Sequence, residues 1–271
     1  MMYKTIIKGL KGIGRNLGLK YALSKIKEFR QTEIDRKKYL SDMDRYKKMN
    51  TRDEFSYEKK YEFPCIHEYR GQAGYPGTYF WQDLWGAQRI VANHPRKHYD
   101  IGSRVDGFIS HMMLFPEIEL HFIDIRPMNK LIPGTYFVQA DATNLEGIPD
   151  NSIESLSALC SFEHFGLGRY GDSVDPEACF KAFSAVQRVV KVGGYIYISV
   201  PVGENHVCFN AHRVFNPRTI IEEFDRCICE ELSIIDLDSD PVIYKLPSPN
   251  AFAIEPNVDH YCGLFMFRKA R

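Results

Sequence analysis

The sequence predicts an α/β fold built on a doubly wound, mainly parallel sheet with helices on both faces. Three observations lead to this prediction. From residue 96 onward, strand-like and helix-like segments alternate along the chain. A glycine turn follows the first of these strands, and acidic residues follow three later ones. With 271 residues and 44% hydrophobic content, the chain can also bury a sheet of this size.

Five strands and two helices are expected in the central part of the chain. One helix should cover about 175–191, with Asp175 as its cap, Pro176 at its first position and the glycines of VVKVGG at its end. A second should begin at Asn216 and Pro217 and run through IIEEF. The strands are predicted near 96–101, 119–124, 135–140, 154–160 and 194–201.

Two further strands are expected at the C-terminal end, in ELSIIDLD (231–238) and HYCGLFMFRK (260–269). The segment between them, about 239–258, contains prolines and shows no helical period. A parallel pair of strands needs a long crossover that is usually helical, whereas a loop can return the chain antiparallel. The sequence therefore predicts a terminal antiparallel hairpin.

The first 60 residues are expected to form a basic helical extension in front of a catalytic domain over 61–271. They hold 17 Lys and Arg against 8 Asp and Glu, a balance of +9. In residues 1–30, the apolar positions Ile6, Leu10 and Ile13 recur at helical spacing between basic side chains. Two roles stay open for this segment: a helix that lies on an anionic membrane surface, and a lid that docks on the catalytic domain.

Composition narrows the class of protein. No apolar run reaches the roughly 18 residues of a membrane-spanning helix, and we expect neither a cleaved secretion signal nor a nucleic-acid partner. The expected location is the cytoplasm, either free or peripheral at the inner face of the membrane. The 7 cysteines are odd in number and scattered, so we expect reduced thiols and no metal site.

The stretch RKHYDIGSRVDG, residues 96–107, predicts a nucleotide-sized cofactor site. Asp100 lies near the end of a strand, Gly102 and Ser103 form the turn, and a helix follows at once. Glycine lets the backbone approach a ligand, and the start of a helix offers free N–H groups. A second close glycine is expected next, but the chain has Arg104 there, which either holds a carboxylate of the ligand or covers the pocket.

Acidic residues at the ends of later strands support this site. Asp124 comes 22 residues after Gly102 (124 minus 102), where an acid can hold both hydroxyls of a ribose. Ile125 can lie against an adenine face, and Asp141 can accept a hydrogen bond from the adenine amino group. Because the carboxyl ends of parallel strands meet at one edge of a sheet, we expect these side chains to lie close together.

Residues 96–268 resemble the class I S-adenosylmethionine-dependent methyltransferases. HYDIGS is similar to their methionine-binding turn, FIDI to the strand with the ribose acid, and QADATNL to the adenine-side segment, where Ala142 is implied as a further contact. The resemblance implies S-adenosylmethionine as cofactor. It also implies a Rossmann-like sheet of seven strands in the order 3-2-1-4-5-7-6, with the last strand antiparallel.

A narrower resemblance covers about 60–238. YFWQDLWGAQRI, EHFGLGRYGD and VCFNAHRVF are similar to a little-characterised methyltransferase-like family of bacteria and nematodes.

Ten residues are candidates for the methyl-transfer step. A general base must take a proton from the acceptor, and histidine, with an ordinary pKa near 6.5, suits that task. Aromatic faces suit the C–H surface of a sugar, acids suit its hydroxyls, and arginine suits an anionic sugar or a phosphate. The candidate catalytic residues are Glu163, His164, Asp172 and His212, and the candidate acceptor contacts are Tyr79, Asp83, Arg169, Tyr170, Asn210 and Arg213.

The leading functional hypothesis is a methyltransferase that modifies a sugar hydroxyl in the synthesis of a surface polysaccharide or glycolipid, with a small molecule or glycan as acceptor. A second hypothesis is a catalytically silent methyltransferase-like module that binds a glycan or recruits a partner. A third is a nicotinamide-dependent oxidoreductase, although GSRVDG lacks the middle glycine that such enzymes place against pyrophosphate. The sequence predicts no particular oligomeric state.

Overall fold

The computed structural model describes residues 17–70, 74–102, 104–246 and 261–271. The chain divides into two compact units, Met1–Tyr75 and Pro76–Arg271. The first unit contains helix α1 (Leu17–Met49), followed by the short turns Asp53–Phe55, Lys59–Tyr61 and Ile66–Arg70. The segment after α1 contacts the C-terminal part of this helix, where the Tyr46 hydroxyl donates to the Phe55 carbonyl at 2.8 Å.

The predicted basic helix over 1–30 falls mainly outside the described residues, so its lid and membrane-surface roles both stay predictions. Within the described ranges, no helix has the combined length and apolar content that crossing a membrane requires.

The second unit alternates strands and helices as predicted. A turn of π-helix, Val105–Ile109, precedes the short helix that begins at Ser110, and a 3₁₀ turn, Phe162–His164, follows the strand that ends at Leu159. The elements in chain order are α2 (Thr78–Ala92), β1 (Lys97–Ile101), α3 (Ser110–Met112), β2 (Glu119–Asp124), β3 (Thr135–Gln139), β4 (Ile153–Leu159), α4 (Ala178–Val189), β5 (Val190–Val202), β6 (His206–Cys208), β7 (His212–Val214), α5 (Pro217–Glu223), β8 (Cys227–Ile235), β9 (Ile243–Lys245) and β10 (Tyr261–Lys269).

The main sheet has the order β3-β2-β1-β4-β5-β10-β8-β9. Strands β1 to β5 are parallel, and β10 runs antiparallel to both β5 and β8, which confirms the predicted terminal antiparallel pair. The predicted count of seven strands is wrong for the described residues. The extra strand, β9, lies in the connection predicted to be a loop and pairs with β8 at Ser233–Ile235.

Two local predictions also need correction. Helix α4 begins at Ala178 rather than near Asp175. The Asp175 carboxylate accepts the Glu177 N–H at 2.9 Å in the turn that leads into the helix. Strand β5 starts at Val190, directly after α4, so the glycines of VVKVGG lie within the strand. By contrast, the predicted start of α5 is confirmed, since Asn216 caps it by accepting the Arg218 N–H at 3.0 Å and Pro217 is its first residue.

Helices cover both faces of the sheet. On one face, α2 and α3 bury Trp85, Ile90 and Met112 against the sheet. On the other, α4 and α5 bury Phe183 and Ile220. Burial of apolar surface on both sides is the main force that holds such a layered fold together.

A buried chain of hydrogen bonds joins β1 to β4 directly behind the predicted cofactor turn. The Ser157 hydroxyl donates to the Asp100 carboxylate, so its oxygen must accept the Nε2–H of His98, at 2.8 Å. The other ring nitrogen, Nδ1, then accepts from the Ser155 hydroxyl at 2.7 Å. His98 is completely buried, and this burial lowers its pKa to about 3.

The neutral state of His98 should make stability depend on pH. The unfolded chain binds a proton at His98 below about pH 6.5, whereas the folded protein does so only near pH 3. Stability from this group is therefore complete above pH 6.5 and falls as the pH drops towards 3, by about 1.4 kcal/mol per pH unit. In denaturant unfolding between pH 7 and 5, His98→Gln should lose this slope, while the exposed His206→Gln should keep it. Equal slopes in the wild type and His98→Gln would contradict the prediction.

Candidate functional site

An open cleft of about 210 Å³ lies at the carboxyl ends of β1, β2, β3 and β4; we call it the edge cleft. This is where parallel open sheets bind their ligands. It brings together residues from four separate strand ends. Its walls are formed by Ile101, Gly102, Ile123, Asp124, Ile125, Arg126, Ala140, Asp141, Ala142, Thr143, Cys160, Ser161, His164, Phe165, Gly166, Tyr170, Asp172, Ser173, Asp175 and Ala178.

Gly102 allows the turns after β1 and β4 to touch. It has a φ of +69°, and a Cβ at this position would lie 2.4 Å from the Ser161 hydroxyl oxygen. Its N–H donates to the carbonyl of Ile123 at 2.9 Å, which ties the turn to the end of β2. The adjoining Ser103, also predicted to bind the cofactor, lies outside the described residues.

Asp124 lies at the end of β2, as predicted, but its carboxylate is already bound by Arg126. The guanidinium of Arg126 donates from Nε to Oδ1 at 2.9 Å and from Nη2 to Oδ2 at 2.7 Å, and the backbone N–H of Arg126 donates to Oδ1 at 2.9 Å. Burial opposes ionisation of Asp124, but these bonds outweigh it and lower the pKa of the carboxyl. Asp124 is therefore an anion in a bidentate ion pair.

The residues predicted to contact adenine lie in the same cleft. Asp141 follows β3, and its side chain accepts the Thr143 N–H at 2.8 Å, which shapes the turn and leaves the residue exposed. Ala142 is 6% exposed and Ile125 is 45% exposed, and both belong to the cleft wall. The cleft thus has an apolar surface next to two acids.

Two predicted cofactor contacts lie elsewhere. Asp100 is 2% exposed and accepts from Ser157, so it supports the turn from behind instead of lining the cleft. Arg104 lies with its guanidinium 4.4 Å from the ring centre of Tyr79, and its Nε donates to Asp106 at 3.1 Å. Its side chain is not part of the cleft wall, so the alternative in which Arg104 covers the pocket is wrong, and its binding of a ligand carboxylate stays a prediction.

His164, a predicted catalytic residue, lines the cleft, and its hydrogen bonds define which ring nitrogen carries the proton. Its Nδ1 lies 2.6 Å from the carbonyl oxygen of Ala211, which can only accept, so Nδ1 carries the proton. In the neutral ring, Nε2 then holds the lone pair. Burial lowers the pKa of His164, and the hydrogen bond to Ala211 only partly offsets that effect. His164 is therefore set up as a neutral base.

Glu163 is unsuited to the base role predicted for it. It is 2% exposed, and among the described residues neither a lysine nor an arginine forms an ion pair with it and Oε2 has no hydrogen-bond partner. Its Oε1 lies 3.6 Å from Nε2 of His164. Burial raises the pKa of Glu163 well above its usual range, which favours the neutral form of the carboxyl.

The other candidate residues after β4 and β5 mostly organise the loop that follows Glu163. The Asp172 carboxylate lies at the cleft, but it accepts the N–H groups of Gly166 at 2.7 Å and Tyr170 at 3.1 Å. Arg213, predicted to contact substrate, is 9% exposed and donates to the carbonyls of Phe165 at 2.6 Å and Pro176 at 3.2 Å. Its role is structural.

Of the remaining predicted acceptor contacts, Tyr170 alone lines the edge cleft, where it is 41% exposed. Arg169 donates to the Ala211 carbonyl at 3.1 Å beside His164. Asn210, on the β6–β7 turn, donates to the Leu167 carbonyl at 3.3 Å. Seven of the ten candidates for the transfer step lie outside the cleft wall: Tyr79, Asp83, Glu163, Arg169, Asn210, His212 and Arg213.

Asp83 needs a separate correction, because it is 2% exposed. Its carboxylate packs so closely against Gly107 that a Cβ there would lie 2.1 Å from Oδ2. Burial raises the pKa of Asp83. Asp83, the acid on α2 that was predicted to bind a sugar hydroxyl, is thus enclosed by the turn after β1.

Sequence reasoning missed Arg126 and Ser161. The spacing of Asp124 and Arg126 contains a local signal, because an aspartate commonly accepts the N–H two residues later in a turn. Ser161 gives no such signal, since only the packing of two distant turns makes it the neighbour of Gly102. In the described part of the chain, no group of three or more His, Cys, Asp or Glu side chains forms a candidate metal site.

The part of the sequence that matches a known protein family includes residues of the edge cleft. A family described as "Caenorhabditis protein of unknown function, DUF268" matches residues 147–221, which include β4, EHFGLGRYGD and β5. No curated protein sequence matches the chain.

Solved structures show the fold. The [4+2]-cyclase SpnF has a TM-score of 0.51 at 16% identity, over 71% of this chain and 81% of that protein. The 1,6-didemethyltoxoflavin-N1-methyltransferase of Burkholderia thailandensis, with bound S-adenosylhomocysteine, has a TM-score of 0.50 at 12% identity, over 72% of this chain and 80% of its own. Phosphoethanolamine N-methyltransferase 2 of Haemonchus contortus, in complex with S-adenosyl-L-methionine, has a TM-score of 0.50 at 15% identity, over 71% and 53%. The chain therefore shares the Rossmann-like fold of these proteins.

The contact between Gly102 and Ser161 can be tested by substitution. Gly102→Ala adds a Cβ at positive φ, which costs about 1–2 kcal/mol, and also forces the Ser161 hydroxyl away. Gly134→Ala is the matched control, because Gly134 has a φ of +83° with open space around it. Denaturant unfolding should show a larger loss for Gly102→Ala than for Gly134→Ala, and adding Ser161→Gly should recover the difference. Equal losses would show that the contact is unimportant.

Proposed function

We propose that this protein is an S-adenosylmethionine-dependent methyltransferase. The observation that carries the proposal is the edge cleft, which combines a glycine turn, a strand-end acid at Asp124 and the Asp141–Ala142 turn, and which ends at His164. These residues suit the donor. Gly102 has no Cβ, so the backbone can approach the ligand, and the Asp124 carboxylate can accept hydrogen bonds from ribose hydroxyls. The apolar wall beside Asp141 suits adenine. When bound, S-adenosylmethionine would supply an electrophilic methyl group.

His164 is the residue we assign to proton removal from the acceptor. Its Nδ1–H is fixed on the Ala211 carbonyl at 2.6 Å, so Nε2 is available to accept a proton. A positioned general base contributes about 10²- to 10⁴-fold to rate. Burial of the neighbouring Glu163 favours its neutral carboxyl form, which makes Glu163 the weaker proton acceptor of the two and supports the assignment of His164 as the base.

The acceptor we propose is a sugar hydroxyl of a surface polysaccharide or glycolipid intermediate, methylated in the cytoplasm. Support comes from a histidine base suited to a hydroxyl proton and from the exposed ring of Tyr170 beside it, at 5.6 Å between ring centres. A pocket covered by Arg104 would favour the silent-module hypothesis, and the position of Arg104 on Tyr79 removes that support. The nicotinamide hypothesis gains no specific observation from the structure.

Donor binding is the first test. Titration calorimetry with S-adenosylhomocysteine should show binding to the full chain, and Asp124→Asn should weaken it by about tenfold or more, because a charged acceptor of hydrogen bonds is lost. Glu117→Gln removes an exposed carboxylate before β2, away from the cleft wall, and should have no effect. Absence of both heat and thermal stabilisation at millimolar ligand would refute the assignment.

Turnover tests the base. Methyl transfer from labelled S-adenosylmethionine to a panel of free and nucleotide-linked sugars should fall at least about 100-fold in His164→Ala, while S-adenosylhomocysteine affinity stays unchanged. Because burial lowers the pKa of His164, wild-type turnover should persist below pH 6.5 and fall only at more acidic pH, as the ring becomes protonated. Transfer to amines but not to sugars would reject the sugar acceptor.

A further inference from the structure

The Asp124 carboxylate is almost fully engaged before any ligand binds. An ionised carboxylate offers about four positions for hydrogen-bond donors, two on each oxygen. Arg126 takes three of them: its N–H and Nε both donate to Oδ1 at 2.9 Å, and its Nη2 donates to Oδ2 at 2.7 Å. One position on Oδ2 is left, whereas the two hydroxyls of a ribose need two.

Arg126 also contacts the opposite wall of the edge cleft. Its guanidinium lies 4.8 Å from the ring centre of Tyr170, within the range of a cation–π interaction. Asp124, Arg126 and Tyr170 all belong to the cleft wall. The arginine therefore links the end of β2 to the loop that follows β4, across the space where a ribose held by Asp124 would lie.

We propose that Arg126 competes with the ribose of the methyl donor for Asp124, and that donor binding displaces the Arg126 side chain from the carboxylate. This inference rests on the proposed function. It makes Arg126 a residue that determines how tightly the cleft holds adenosyl ligands, although Arg126 itself need not contact them.

The exchange is physically inexpensive. The side chain of Arg126 is 51% exposed and that of Asp124 is 20% exposed, so water can solvate the released guanidinium. Tyr170 offers a second partner for the same group, which limits the loss when the ion pair breaks. Partly exposed ion pairs of this kind contribute little, so competition should reduce donor affinity by a factor of about two to ten.

Titration calorimetry of the full chain with S-adenosylhomocysteine tests this proposal. Arg126→Ala should bind about two- to tenfold more tightly than the wild type, and Arg126→Lys, which lacks the bidentate geometry, should fall between the two. Arg268→Ala is the matched control. It removes a similarly exposed arginine from an ion pair, with Glu230, that is not part of the cleft, so affinity should not change.

A double-mutant cycle shows whether Arg126 acts through Asp124. In the Asp124→Asn background there is no ion pair to break, so adding Arg126→Ala should have no further effect on affinity, as measured by competition or thermal shift at millimolar ligand. Weaker or unchanged binding in Arg126→Ala alone would overturn the inference while leaving the donor assignment intact. If neither the wild type nor Arg126→Ala binds the ligand, the donor assignment itself fails.

Discussion

The edge cleft depends on the close approach of two turns, where the backbone of Gly102 meets the hydroxyl of Ser161. Neighbouring parallel strands β1 and β4 deliver both turns to the same edge, and a side chain of any size at 102 would separate them. The approach is held in place from two directions. The Gly102 N–H binds the end of β2, and the buried Asp100–Ser157–His98 chain fixes β1 against β4 behind the turn. Strand ends far apart in sequence thereby become one binding surface.

Electrostatics then divide the acids of the site into two kinds. Asp124 is partly buried next to a guanidinium, so it is ionised and can accept hydrogen bonds from a ligand once Arg126 moves. Glu163 is more deeply buried, and in the described chain no lysine or arginine forms an ion pair with it, so burial raises its pKa and favours the neutral form. Burial and neighbouring charge thus favour the ionised form of the carboxyl group at Asp124 and the neutral form at Glu163, which supports the proposed assignment of His164 as the base.

The EHFGLGRYGD segment, which lies in the region matched by the family of unknown function, is largely architectural. Asp172 binds backbone N–H groups within the loop, and Arg213 holds it from β7. Gly166, at a φ of +74°, lies so close to the Asp175 carbonyl that a Cβ would be 1.9 Å away from its oxygen. These structural constraints explain the unusual sequence of EHFGLGRYGD, so its polar residues need not each take part in a reaction. The same constraints hold His164 and Tyr170 at the cleft wall.

The sequence by itself determined the alternation of strands and helices, the start of α5, the terminal antiparallel pair and the placement of Asp124 and Asp141 at strand ends. These features follow from local periodicity, capping and the rule that parallel strands share a carboxyl edge. Only the tertiary structure decided that Arg104 lies on Tyr79, that Arg213 and Asp83 are enclosed, that β9 extends the sheet and that burial raises the pKa of Glu163. The direction and solvation of a polar side chain depend on neighbours distant in sequence, and no local pattern specifies them.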